Sequence, residues 1–170
     1  MAARGEPVTV PDTYERLVRV LEEHRAEYRL IDHPPEGRTE IVSPLRGNEL
    51  REAAKCMVVI VKLGKKVTKY VLAVVPGDRR VDLNAIKSLF GATYVSFASP
   101  EIAEQLARTV PGTILPFSWT QGLELIVDPS LLRLEEIFFN AARLDRSIVL
   151  KTRDYVRIVK PRVERIARDG

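Results

Sequence analysis

The sequence predicts a mixed α/β fold, in which short helices pack around a mixed β-sheet. Segments with strand character alternate irregularly with segments of helical spacing, and several consecutive strands are separated only by hairpin-like turns. The 170 residues contain no repeat and no break in composition. We therefore expect a single domain over residues 11–160, preceded by a loose leader at 1–10 and followed by a basic surface tail at 161–170.

The composition is that of an ordinary globular protein, with 45% hydrophobic and 29% charged residues. No apolar run approaches the roughly 18 residues that span a bilayer, and the first residues lack the apolar core of a secretory signal. A single cysteine, Cys56, precludes an internal disulfide, and with two histidines it argues against a structural zinc site. We expect a cytoplasmic protein that contacts no membrane and uses no metal or other cofactor. The net charge of +4 is compatible with a nucleic-acid partner, although surface solvation is the simpler interpretation.

Capping signals and strand-like runs define the elements of the first half. Asp12 or Thr13 caps a helix that reaches about residue 27. Residues 38–47 indicate irregular structure, because a proline and a glycine interrupt them. The other elements are a short strand at 28–32, a short helix at 48–54 capped by Asn48, and strands at 56–63 and 68–75 joined by a hairpin turn at 64–66.

The second half carries similar signals. Asp82 and Gly91 bound one helix, and Ser99 caps another that runs to about residue 108. Residues 110–119 indicate an apolar loop interrupted by prolines and a glycine. Thr152 is expected to cap a last helix with Tyr155 on its buried side. Strands are expected at 94–97, 123–127, 137–140 and 147–150, with one helical turn at 131–134.

Lys55 stands directly before the apolar, β-branched run of the strand at 56–63. Such a run indicates a strand that is buried on both faces. A lysine at its start is either a surface residue at a strand end or a cation that points into a cleft. Lysine is rarely buried without a partner, so position alone favours the surface.

The segment from Gly112 to Pro116 is the second feature that suggests chemistry. Glycine permits a positive φ and a close approach to a ligand, and the proline four residues later restricts the far end of the loop. Such a loop can present backbone N–H groups to a carbonyl oxygen and stabilise an oxyanion. A purely structural loop is the alternative.

The common catalytic motifs are absent from the sequence, including the phosphate loop, the nucleophile elbow and the two-histidine zinc helix. Cys56 lies within an apolar run, which indicates an inert core thiol rather than a nucleophile. His33 precedes two prolines, and it is either an exposed loop residue or part of a cleft.

The order and spacing of several segments resemble the YbaK/prolyl-tRNA-synthetase-associated editing domain family of aminoacyl-tRNA deacylases, from about Thr13 to about Val159. The segment from Val71 to Leu83 is the most distinctive. The other segments are Tyr28 to Pro34, Ala53 to Lys55, Leu89 to Ala92, Phe97 to Glu101, Pro111 to Phe117, Asp128 to Leu131 and Ile137 to Arg143.

The resemblance implies a central, partly barrel-like mixed sheet surrounded by helices. It also implies hydrolysis of the ester between a wrong amino acid and the 3′ end of tRNA, often tRNA for proline. A synthetase is a potential further partner, and the oligomeric state stays open. In this family a lysine holds the substrate near its terminal adenosine, a loop cradles the aminoacyl carbonyl, and water or a substrate hydroxyl attacks. The expected catalytic residues are therefore Lys55, Gly112 and Pro116, with substrate contacts from Thr113, Ile114, Leu115, Ser147 and His33.

The sequence departs from the family pattern at several positions. Thr113 stands where family loops often have a second glycine, and Ala141 and Ala142 replace a glycine after a late strand. Ser147 takes the place of the aspartate of the cysteine-specific branch, which argues against that branch. Trp119 either narrows the pocket or fills the core. A non-catalytic module that binds tRNA ends or amino acids, and a small-molecule esterase, remain alternatives to the editing hydrolase.

Overall fold

The computed structural model describes residues 12–110 and 112–170, so the leader expected at 1–10 lies outside the described residues. The helices within them are α1 (Thr13–Glu23), α2 (Thr39–Arg46), α3 (Leu83–Phe90), α4 (Pro100–Ala107) and α5 (Thr152–Val159). The strands are β1 (Tyr28–Asp32), β2 (Ala54–Leu63), β3 (Val67–Pro76), β4 (Arg79–Val81), β5 (Tyr94–Phe97), β6 (Leu123–Val127), β7 (Glu136–Asn140), β8 (Arg146–Lys151), β9 (Arg162–Val163) and β10 (Ala167–Asp169).

The predicted mixed α/β architecture is confirmed. A five-stranded sheet has the order β5-β2-β3-β6-β9, with β2 antiparallel to β3 and β3 parallel to β6. A three-stranded antiparallel sheet has the order β1-β8-β7, and β10 pairs with β4. An isolated bridge between Ala53 and Phe138 links the two larger sheets at one corner. Barrel-like is therefore only a loose description of their arrangement.

The β2–β3 hairpin is buried on both faces, as its β-branched run predicts. Val58 and Leu72 point to one face, where they join a core that includes Leu17 and Tyr155. Val59 and Val71 point to the other face and pack with Ile86 and its neighbours. The hairpin is thus the central element against which both halves of the core pack.

Several local signals are confirmed at the residue level. The Asp12 side chain caps α1 and forms a capping box with Glu15. Asp82 caps α3, which ends at Gly91 in the left-handed region with φ +60°. Ser99 caps α4, with a proline in its first turn.

The prediction for residues 38–47 was wrong, because they form α2. Pro44 lies in the second turn of an eight-residue helix, where the missing N–H removes a single intrahelical bond. Gly47 then ends the helix with φ +78°. The helix expected at 48–54 is only a 3-10 turn at Leu50–Glu52, since the Asn48 side chain is engaged with Ser43 and Arg46 instead of capping.

The expected tail at 161–170 is mostly exposed, as predicted, but it includes the two short strands β9 and β10. Ile166 is fully buried, and the Asp128 carboxylate accepts hydrogen bonds from its N–H at 2.8 Å and from Ala167 N–H at 2.9 Å. Because half of the residues of this segment are charged, its sequence did not indicate the two short strands. Helix α1 ends at Glu23 rather than at about residue 27, and Arg25 just after it has a φ of +52°. The N-cap of α5 is Lys151 rather than Thr152.

Candidate active site

A cavity of about 360 Å³ lies where the two larger sheets meet. Its walls come from α2, α4, the first half of β2, the end of β7 and the loop at Gly112. The apolar part includes Val58, Ala103 and Phe139. The charged side chains of the lining are Arg38, Arg46, Lys55, Glu40 and Glu104. The cavity therefore combines an apolar wall with three basic and two acidic side chains. Arg38 is exposed and paired with Glu36, which leaves Lys55 and Arg46 as the cations available to a ligand.

Lys55 is the second residue of β2 and pairs with Val75, so it lies inside the strand rather than before it as predicted. It lines the cavity and is half-buried. Burial lowers the pKa of its ammonium group, and Arg80 acts in the same direction, while Glu40 and Asp78 partly offset them. None of the ion pairs formed within residues 12–110 and 112–170 includes Lys55.

Arg46, at the end of α2, is a site residue that sequence reasoning missed. It is only 7% exposed, yet it lines the cavity. Its guanidinium donates to Asn48 Oδ1 at 2.7 Å, Asn140 Oδ1 at 3.2 Å and Ser147 Oγ at 2.9 Å, which are all neutral acceptors. Burial lowers its pKa to about 10, so the group stays charged at neutral pH. Among the described residues no hydrogen bond uses its Nη2 atom, which leaves a donor for a ligand.

Asn140, the last residue of β7, connects the walls of the cavity. Its amide donates to Glu36 C=O at 2.8 Å and to Gly112 C=O at 3.2 Å. Its oxygen accepts from Arg46 and lies 3.0 Å from Ser147 Oγ. This uses the full hydrogen-bonding capacity of a carboxamide. Asn140 therefore holds the loop in place and has no group left for a substrate.

The loop from Gly112 to Pro116 only partly faces the cavity. Gly112 and Ile114 line it. Leu115 is buried in the core, and the Pro116 carbonyl accepts a hydrogen bond from Tyr155 at 2.6 Å. Thr113 is fully buried, with both its N–H and its hydroxyl donating to Val110 C=O. The Thr113 N–H is thus already used and is not a donor for an oxyanion.

Gly112 reaches its position by close packing against Gly37. It has φ +86°, and a Cβ atom there would lie 2.8 Å from Gly37 Cα. A Cβ atom on Gly37 would in turn lie 3.0 Å from Gly112 Cα. Both positions therefore require a residue without a side chain, which brings the segment before α2 and the loop together at the mouth of the cavity.

His33 and Ser147 lie behind the cavity and not in its lining. His33 is 8% exposed, so it is not an exposed loop residue. Its Nε2 lies 2.7 Å from the oxygen of the fully buried Ser147, and its Nδ1 lies 2.9 Å from Pro34 C=O. The pair supports Arg46 and Asn140 from behind, and its burial separates the Ser147 hydroxyl from any ligand in the cavity.

Cys56 and Trp119 are two further residues whose place relative to the cavity the structure defines. Cys56 lines the cavity, but burial raises the pKa of its thiol strongly, which disfavours the nucleophilic thiolate. Trp119 packs against the core and under the Arg16 guanidinium, 4.6 Å from the ring centre, and is not part of the cavity wall.

No group of three or more His, Cys, Asp or Glu side chains in the described part of the chain could hold a metal ion. No described helix is long and apolar enough to cross a membrane.

The family model and the two relatives described next are all named for the editing or deacylation of tRNA. A family model described as an aminoacyl-tRNA editing domain matches residues 33–158. The chain is 41% identical over 150 residues to the multifunctional Ser/Thr-tRNA deacylase ProXp-y of Escherichia coli (strain K12), covering 88% of this chain and 89% of the relative. It is 23% identical over 153 residues to the prolyl-tRNA editing protein ProX of Acetoanaerobium sticklandii, covering 88% and 92%.

Solved structures share the fold. A hypothetical protein, APE2540, superposes with a TM-score of 0.80 at 21% identity, covering 91% of this chain and 100% of that one. A candidate trans-editing enzyme for prolyl-tRNA synthetase superposes with a TM-score of 0.75 at 19% identity, covering 94% and 99%.

Proposed function

This chain belongs to the aminoacyl-tRNA editing domain family and is an aminoacyl-tRNA deacylase, and we propose that it hydrolyses esters of small non-cognate amino acids in the cavity beside Lys55. The observation that carries the proposal is that Lys55 and Arg46 both line the cavity beside Gly112, and that neither forms an ion pair with an acidic residue of the described chain. The reaction needs an electrophilic stabiliser more than a nucleophile, because the ester is already activated and water can attack it.

The proposed chemistry uses the two cations at the ester carbonyl. Water adds to the carbonyl carbon, the carbonyl oxygen gains negative charge, and the bond to the ribose oxygen then breaks. The proton lost by the water ends on that ribose oxygen. Lys55 and the Nη2 donor of Arg46 stabilise the developing charge in a site where apolar walls strengthen the interaction. Gly112 sets the position of the loop, and Pro116 anchors its far end through Tyr155.

The size of the cavity favours a small amino acid as the acyl group of the ester. A volume of about 360 Å³ lies at the low end of the range of roughly 300–1,000 Å³ for ligand sites. The ProXp-y relative is named a Ser/Thr-tRNA deacylase, so serine and threonine esters are the first substrates to test. Faster hydrolysis of the serine ester than of the alanine ester would indicate a donor for the side-chain hydroxyl, since a site built to bond a hydroxyl rejects analogues without one.

The tRNA partner is the second part of the substrate proposal. The ProX relative is named a prolyl-tRNA editing protein, which supports tRNA for proline as one carrier. We include the cytoplasm, where tRNA is charged, as the proposed site of action. Cooperation with prolyl-tRNA synthetase is tested by adding that enzyme to the deacylation reaction and measuring whether the rate rises.

A deacylation series tests the proposal. The protein is incubated with seryl-, threonyl- and alanyl-esters of tRNA for proline, with seryl- and threonyl-esters of their own tRNAs, and with prolyl-tRNA for proline as the cognate control. We expect hydrolysis of at least one small non-cognate ester and no acceleration with the proline ester. Rates equal to the uncatalysed reaction for every ester would overturn the proposal. Tight, salt-sensitive tRNA binding without turnover would instead identify a binding module.

A further inference from the structure

The β2–β3 hairpin holds the entire excess of positive charge in the chain. Residues 53–77 contain five lysines and no aspartate, glutamate or arginine. The chain has 27 basic and 23 acidic residues, so the part outside the hairpin has 22 basic and 23 acidic residues. The net charge of +4 is therefore a local property of this hairpin rather than a diffuse feature of the surface.

One of the five lysines is Lys55 in the cavity, and the other four surround the opposite end of the hairpin. Lys62, Lys65, Lys66 and Lys69 are all exposed. No ion pair within the described parts of the chain includes any of them. Tyr94 of the edge strand β5 lies directly opposite Lys62 in the ladder and is 55% exposed. An aromatic ring beside unpaired cations is the usual composition of a surface that binds a single-stranded nucleic acid.

Strand geometry relates this end of the hairpin to the cavity. Side chains alternate along β2, so Lys62 is on the same face as Cys56 and Val58, which line the cavity. Tyr94 shares that face, because directly paired residues of antiparallel strands point the same way. Val58 is the cavity residue of this face nearest to Lys62 in the strand, and the four residues from Val58 to Lys62 span roughly 13 Å at the rise of an extended strand. An extended ligand that ends in the cavity can therefore reach both sites.

We propose that the surface formed by Lys62, Lys65, Lys66 and Tyr94, at the distal end of this hairpin, binds the sugar–phosphate backbone of tRNA beyond the terminal adenosine. Lys69 is not part of this surface, because it pairs with Val61 on the opposite face and its Nζ lies 5.9 Å from the centre of the Phe90 ring. The lysines contact phosphates, and the Tyr94 ring stacks on an unpaired base of the 3′ end. The inference rests on the proposed function, because the cavity must hold the aminoacylated end of the same tRNA. Recognition of this kind depends on charge and stacking and not on base sequence, so one surface serves several tRNAs.

The test compares a long and a short substrate. The double variant Lys65→Ser/Lys66→Ser removes two exposed charges, and the matched control Arg19→Ser/Arg133→Ser removes two exposed charges outside the hairpin. We expect the hairpin variant to raise KM for aminoacyl-tRNA by roughly tenfold and to reduce the slope of log(kcat/KM) against log[salt] by about 1.5. Hydrolysis of an aminoacylated adenosine, which has no phosphate and no further base, should be unchanged, and the control should match the wild type on both substrates.

Tyr94 gives an independent readout. Tyr94→Ser should raise KM for aminoacyl-tRNA by at least about fivefold, whereas Tyr94→Phe keeps a ring for stacking and should match the wild type. Wild-type kinetics and salt dependence for the double variant would overturn the inference and point to another partner, such as an acidic protein. An equal effect in the control would overturn it in favour of overall charge. If the wild type hydrolyses neither substrate, the proposed function itself fails, which distinguishes the two claims.

Discussion

Replacing Gly112 by alanine tests whether the contact between Gly112 and Gly37 shapes the active-site cavity. The left-handed backbone at φ +86° costs an alanine roughly 1–2 kcal/mol relative to glycine. The new Cβ would also lie 2.8 Å from Gly37 Cα and 3.2 Å from its carbonyl oxygen, so backbone must move. Overpacking of this kind costs about 1–3 kcal/mol more. We therefore expect Gly112→Ala to lower the free energy of unfolding by about 2–5 kcal/mol, measured by urea denaturation.

The same substitution should reduce activity, because the contact is coupled to the site. Asn140 holds Gly112 C=O at 3.2 Å and also bonds Arg46, so a displaced loop carries both groups with it. A misplacement of about 1 Å costs on the order of 100-fold in rate, which is the loss of kcat/KM that we expect.

Gly122 provides a matched control, since it has nearly the same backbone conformation, with φ +89°, but no atom within 4 Å of an added Cβ. Gly122→Ala should lose only the conformational cost of roughly 1–2 kcal/mol and keep full activity. If Gly112→Ala is as stable and as active as Gly122→Ala, the reasoning about the Gly37 contact is refuted.

Three further substitutions test other parts of the structure. Ala142 has φ +61°, so Ala142→Gly should raise the free energy of unfolding by roughly 1 kcal/mol and Tm by about 2–4 °C; an unchanged or lower Tm would show that the residue is not strained. Cys56→Ala should keep kcat/KM within about twofold, because burial raises the pKa of the thiol and no thiolate takes part; a large loss would implicate the sulfur in catalysis. Burial alone would raise the pKa of Asp128, but hydrogen bonds from Ser130 and the C-terminal backbone lower it overall. The carboxylate therefore stabilises the fold fully above the unfolded pKa of about 4 and less as pH falls through the folded pKa. Urea denaturation of Asp128→Asn should thus show a deficit at pH 7 that shrinks at pH 3, and an equal deficit at both pH values would contradict this account.

The elements that the sequence predicted well are those with local signals. Asp12, Asp82 and Ser99 cap their helices by bonding N–H groups two or three residues away, so a short window contains the whole interaction. Helix α2 was not predicted because a proline such as Pro44 usually indicates the end of a helix. Here the helix is stabilised by its buried residues, which pack against the rest of the fold. The C-terminal strands were missed because Ile166 is held by Asp128, 38 residues earlier.

The same distinction separates the predicted and missed site residues. Lys55 and Gly112 were predicted from recognisable motifs, and both line one cavity. Arg46 and Asn140 lie 94 residues apart and form one network only after folding, so no local pattern marks Arg46 or the network. An asparagine at the end of an apolar strand was the one available signal for Asn140. Ser147 was predicted as a substrate contact from the resemblance, but it is fully buried behind the network.

The most direct test of the central claim is the turnover of Lys55→Ala on a small aminoacyl ester. The matched control is Lys65→Ala, which removes the same charge from the other end of the hairpin. Both are measured as kcat at saturating substrate, together with the free energy of unfolding. The account predicts a loss of about 100-fold or more for Lys55→Ala, with stability close to the wild type, and full kcat for Lys65→Ala. Full kcat in a folded Lys55→Ala protein would contradict it.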